Sequence, residues 1–76
     1  MAKFFFDFEV GGLIADDEEG TEYPDRKAAE AAARDGLLDM VRDRIRFSEL
    51  LEVTVRVRDE TAVVFTTTAQ ASCRLL

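Results

Sequence analysis

The sequence predicts an α+β domain in the order β-hairpin, α-helix, β-hairpin (ββαββ), with one helix packed on one face of a four-stranded antiparallel sheet. Three observations carry this reading. Phe4, Phe6, Phe8 and Val10 alternate with Phe5, Asp7 and Glu9 ahead of Gly11-Gly12. An Ala-rich stretch of strong helix formers follows Pro24-Asp25. Leu51, Val53, Val55 and Val57 then alternate with polar residues and lead into a β-branched run. Period two marks a half-buried strand, and a helix-period apolar stripe marks an amphipathic helix.

Each element has its own local signal. Gly11-Gly12 supplies the positive φ angles of a tight hairpin, and Leu13, Ile14 and Ala15 begin the return strand. Asp16 to Glu22 is an acidic bend pivoting on Gly20, after which the strand resumes briefly around Thr21 to Tyr23. Asp25 is the best N-cap, because its carboxylate can accept from an unpaired N–H of the first turn. The helix runs from Arg26 to about Arg44, with Glu30 and Arg34 placed for an i,i+4 pair. Ala29, Ala33, Gly36, Leu37, Met40 and Val41 share one face, with Ile45 at its margin. Leu38 falls on the polar side, as an isolated exposed leucine or as a partner contact. Phe47 to Leu50 is a connector.

In the second hairpin, a three-residue loop at Asp59-Glu60-Thr61 would set Val63 and Phe65 opposite Val57 and Val55. A two-residue loop would turn Val64 inward instead; the longer loop is preferred because it buries Phe65. The tail from Ala69 to Leu76 has no clear period, and a short helical turn ending in Leu75-Leu76 is one reading of it. The sheet face away from the helix would carry Phe5, Asp7, Glu9, Glu52, Thr54, Arg56, Arg58, Val64 and Thr66.

A single domain of 76 residues buries roughly 60–65% of the surface its unfolded chain exposes. Such a core gives no more than about 3–5 kcal/mol, which favours tight helix-on-sheet packing and self-association as a homodimer. Net charge is −6 and unevenly spread. Residues 1–25 hold eight acids and one lysine (−7), and residues 26–76 hold eight acids and nine bases (+1). An acidic surface argues against direct nucleic-acid binding and against an anionic membrane. No apolar run approaches the ~20 residues that span a bilayer. The absence of an export signal, with one free thiol at Cys73, points to the cytoplasm.

The aromatic strand Phe4 to Phe8, the segment Asp17 to Asp25 (D-E-E-G-T-E-Y-P-D), the helix start Ala28 to Ala33 and the run Val57-Arg58-Asp59-Glu60 resemble a bacterial family. It comprises short, mainly alphaproteobacterial proteins classed as a domain of unknown function, and the likeness covers about 60 residues. Tyr23 replaces the family's usual leucine, and Thr61 stands where a glycine commonly follows V-R-D-E. The resemblance implies fold and compartment and no catalytic residue. A weaker likeness is to antitoxins with a partial ribonuclease-H-like fold, although their turn sequence and DNA-binding segment are absent.

Candidate chemistry is sparse. Aligning Gly20 with the glycine of a calcium loop puts Ala15 at the first ligand position and Arg26 at the last, so that motif fails. Asp16, Asp17, Glu18, Glu19 and Glu22 could bind a cation only loosely, and with no histidine no metal or cofactor is expected. Asp7 and Glu9 share a strand face, but acid–base work needs a cleft and a shifted pKa. Cys73 has no base to activate it. Of Phe4, Phe5, Phe6 and Phe8, three share one face and read as core rather than as base-stacking aromatics, and Asp7 and Glu9 would repel a phosphate chain.

The expectation is a non-catalytic interaction module, binding itself or a protein partner through the open sheet face or the acidic hairpin. The residues singled out are Phe5, Asp17, Glu18, Glu19, Glu22, Leu38, Arg56 and Arg58, with the acidic hairpin of one molecule meeting arginines of another. The alternative is an antitoxin-like or nucleic-acid-mimicking regulatory protein.

Overall fold

The computed structural model describes residues 1–47 and 50–73. Strand β1 (Ala2–Val10) is followed by β2 (Leu13–Ala15), β3 (Thr21–Tyr23) and helix α1 (Arg26–Arg44). A 3-10 turn (Ile45–Phe47), β4 (Leu50–Arg58) and β5 (Val63–Ser72) complete the chain. One helix and an antiparallel sheet of five strands make an α+β fold. The order is β2-β1-β4-β5, with β3 also on β1.

The expected count of four strands changes because the first return strand breaks in two. Phe8 pairs with Ala15 and Phe4 with Thr21, so the five residues 16–20 face only the three residues 5–7. The acidic bend holds the surplus. Gly11 and Gly12 both have positive φ (56° and 85°), as the two-residue hairpin requires. Asp25 caps the helix, its carboxylate accepting from the Ala28 N–H at 2.8 Å.

The core lies between α1 and the centre of the sheet. Ala29 and Ala33 are fully buried against Val53, Val55 and Val57, which are equally inaccessible, with Leu37, Leu51 and Phe4 at the margins. The small alanines let the helix approach closely, and its packing is mainly on β4 and β5, with little on β1. Gly36 faces the Phe8 ring, which lies 3.6 Å from where a Cβ would stand, an ordinary contact distance. Tyr23 stacks on Phe6 at 5.7 Å and 5° and so roofs the N-terminal half of β1.

Three expectations about the second half are corrected. The β4–β5 turn spans Asp59 to Ala62, not three residues, because the Asp59 carboxylate accepts from the Thr61 and Ala62 N–H groups and the Thr61 hydroxyl. Phe65 does face the helix side, but it stands opposite Val57, and Thr67 stands opposite Val55. Val64 is the extra residue of a bulge and packs toward the core, while Val63 pairs with Arg58 and is exposed. The tail is not helical through Ser72: β5 stays paired with β4 down to Leu50. Leu75 and Leu76 lie outside the described residues.

Candidate functional site

The most organised polar cluster forms where the acidic bend leaves the sheet. Phe6 and Phe8 turn toward the helix, so Asp7 points to the open face, where it is buried (8% exposed). Arg58, two residues along β4 from Asp7's own register partner Arg56, reaches it with Nε at 2.7 Å. Arg58 also donates to the Asp17 carbonyl at 2.7 Å and lies over the Phe5 ring at 4.6 Å. The Asp17 N–H donates to Asp7 at 2.9 Å. The buried carboxylate therefore has a cation and a backbone donor, the condition under which a charge is tolerated away from water.

Asp17 closes the cluster from the other side. Its carboxylate accepts from the Phe6 N–H at 3.1 Å, which would lack a partner where the return strand is interrupted. Its other oxygen accepts from the Glu19 and Gly20 N–H groups at 3.1 and 3.0 Å. One carboxylate thus stands in for missing strand backbone and shapes the bend. The Gly20 N–H, followed by those of Phe6 and Glu19 and the charge of Arg58, holds the Asp17 carboxyl below the usual carboxylate range against a smaller opposing effect of burial. The hydrogen bond that Arg58 donates to the Asp7 carboxylate raises Arg58 above its ordinary value. Asp59 is lowered by the Thr61 and Ala62 N–H groups of its own turn.

Of the residues named from sequence, Phe5, Asp17 and Arg58 come together in this cluster. Arg56 lies on the same face but pairs with Glu9 at 2.9 Å. Glu18, Glu19 and Glu22 project to solvent along the β2–β3 edge. Leu38 is 58% exposed on the far side of the helix and joins nothing in the cluster. Both strand arginines thus meet the acidic hairpin of their own chain. Asp7 and Glu9 share a face as expected, and each is held by an arginine. Among the described residues, no group of three His, Cys, Asp or Glu is placed to hold a metal ion, and no helix is long and apolar enough to cross a membrane.

A second feature lies on the helix side of β1 and β2 and had no signal in the sequence. Because α1 sits over β4 and β5, the C-terminal half of β1 is only partly roofed. Phe8, Val10 and Leu13 from the sheet, with Met40 and Arg44 from the helix, line a cleft of about 160 Å³. Leu13 (80%) and Ile14 (60%) stand exposed at its rim.

A family model described as Domain of unknown function (DUF6894) matches residues 3–70, and the chain belongs to that family. No curated protein and no solved structure matches it. The D-E-E-G and V-R-D-E segments that carry the resemblance meet in space through Arg58 and the Asp17 carbonyl.

Proposed function

We propose that the chain is a non-catalytic interaction module that associates with itself or with a protein partner. The observation that carries this reading is the offset of the helix, which leaves Leu13 exposed beside an apolar cleft in a domain with little core to spare, while Ile14 stands exposed on the other face of β2. The ionisable cluster around buried Asp7 supports it from the other direction. Asp7, Arg58 and Asp17 are satisfied by one another and by backbone, so they stabilise the sheet rather than wait for a substrate. Sedimentation velocity and affinity capture of wild type against Leu13→Asp test the reading. Loss of an association on substitution is expected, and a wild-type chain that neither self-associates nor retains a protein refutes it.

A second reading, a regulatory protein that meets a basic partner, is favoured by one observation. The rigid Asp17 frame turns Glu18, Glu19 and Glu22 outward together with Asp16, on an edge from which positive charge is nearly absent. Salt-sensitive capture of a basic protein, lost on charge reversal of Glu18 and Glu19, distinguishes it.

A further inference from the structure

The two edges of the sheet are built differently. One consists of β2 and β3, each three residues long, interrupted by the acidic bend and ended by Pro24. Short strands, charge and proline are the devices that keep an edge from pairing with another chain. The other edge is β5, ten residues (VVFTTTAQAS) without a charge or a proline. Its protection is confined to its start, where the bulge at Val64 sits, Arg26 donates to the Val64 carbonyl and Arg34 lies over the Phe65 ring. From Thr66 to Ser72 every second residue turns its N–H and C=O away from β4, and no other described strand pairs there.

Charge placement says what can occupy this edge. Two copies at −6 each repel wherever their acids approach. The acidic bend, however, lies three strand spacings from β5 in the order β2-β1-β4-β5. At about 4.8 Å per spacing that is roughly 14 Å, beyond the Debye length of about 8 Å at physiological salt. A neutral strand set against its own copy brings no like charges opposite each other. Antiparallel pairing of a strand with itself is also isologous, so it closes at two chains; the interrupted opposite edge gives no second site from which a fibre could grow.

We infer that the chain forms a symmetric homodimer by antiparallel β5–β5 pairing over Thr66 to Ser72, joining two sheets into one. The inference rests on the interaction-module reading and commits it to a second copy and a particular contact. Thr68, in the middle of the free stretch, meets its own copy directly or diagonally across the two-fold. Among the described residues its hydroxyl bonds the Thr54 hydroxyl, at 2.9 Å, and its side chain is exposed, so it is replaceable.

The test is sedimentation velocity over a concentration series for wild type, Thr68→Val, Thr68→Lys and Thr68→Glu, each checked by circular dichroism for an unchanged fold. Wild type and Thr68→Val are expected to be dimers. Thr68→Lys and Thr68→Glu alone are each expected to dissociate at least tenfold more readily, and an equimolar mixture of the two regains the wild-type dimer. A monomeric wild type at several hundred micromolar overturns the inference. So does a dimer indifferent to charge at position 68 but broken by Leu13→Asp, which leaves the broader reading standing. A β5 edge that pairs only with a heterologous peptide likewise overturns it. If both charged variants lose the fold, outward amides of β5 in wild type that exchange no more slowly at high than at low protein concentration decide against it.

Discussion

Replacing Asp17 with alanine removes the acceptor for three backbone N–H groups, those of Phe6, Glu19 and Gly20. Their costs differ. The Phe6 N–H is part-buried in the middle of β1, and leaving such a donor unpaired costs about 1–3 kcal/mol. The Glu19 donor is exposed and can turn to water, and the Gly20 donor is part-buried within the bend itself, so their joint loss resembles that of a helix N-cap, about 1 kcal/mol. The sum, about 2–4 kcal/mol, is comparable with the ~3–5 kcal/mol that a core of this size supplies. Urea unfolding followed by far-UV circular dichroism reads it. With a slope near 1 kcal/mol/M, Asp17→Ala moves the midpoint down by about 2–4 M or abolishes the transition. Asp17→Asn keeps a carbonyl acceptor but loses the charge that roughly doubles such bonds, and it falls between alanine and wild type. Glu18→Ala, next in sequence but outward-facing, changes stability by no more than about 0.5 kcal/mol. Equal effects of Asp17→Ala and Glu18→Ala would refute the assignment, as would an unchanged exchange rate of the Phe6 amide.

Two further outcomes follow from the same geometry. Asp17 and Asp59 both titrate below the ordinary value of 3.8, so their stabilisation is complete above pH 3.8 and is lost as pH falls through their lower folded-state values. Thermal melts between pH 5 and pH 2 should therefore show a steep acid limb that Asp59→Asn flattens. At Gly20, φ is +74° and an added Cβ would stand 2.8 Å from the Phe5 ring. Gly20→Ala combines left-handed strain with overpacking and should cost about 2–4 kcal/mol in urea titrations, whereas Gly12→Ala meets no atom and carries the strain alone.

Where a local signal and a tertiary requirement coincide, the sequence was legible. Gly11-Gly12, the Asp25 cap, the small-to-bulky helix stripe and the Val53-Val55-Val57 ladder all stand where the pattern puts them. The β5 register was not legible. Its turn length depends on one carboxylate, Asp59, folding back on its own loop, and its alignment on a bulge at Val64. The stretch Ala69 to Ser72 carries poor strand formers and is held in the sheet by its ladder with β4, a case of pairing overriding propensity. Nor could a run of four consecutive acids announce that the second, Asp17, turns inward. Alternation placed Asp7 and Arg58 on one face, but only the β1–β4 register brings them to 2.7 Å.

The acidic hairpin consequently divides into two populations with different work. Asp7, Glu9, Asp17 and Asp25 are each engaged, by Arg58, by Arg56, by three N–H groups and by the Ala28 N–H respectively. Asp16, Glu18, Glu19 and Glu22 face outward. The same division runs through two of the segments that carry the resemblance. In D-E-E-G, Asp17 and Gly20 build the bend while the glutamates between them are surface. In V-R-D-E, Arg58 ties the sheet to that bend, Asp59 closes the hairpin and Glu60 is exposed. A pattern of this kind specifies how an interrupted strand is repaired, not what the domain contacts. Contact must then be sought at positions free of that structural work: the outward glutamates, the Leu13–Ile14 rim and the uncharged β5 edge. Among the described residues the β5 edge leaves the longest uncharged run of strand unpaired on one side, so if the proposed β5–β5 pairing holds, substitutions there should alter association while leaving the fold intact.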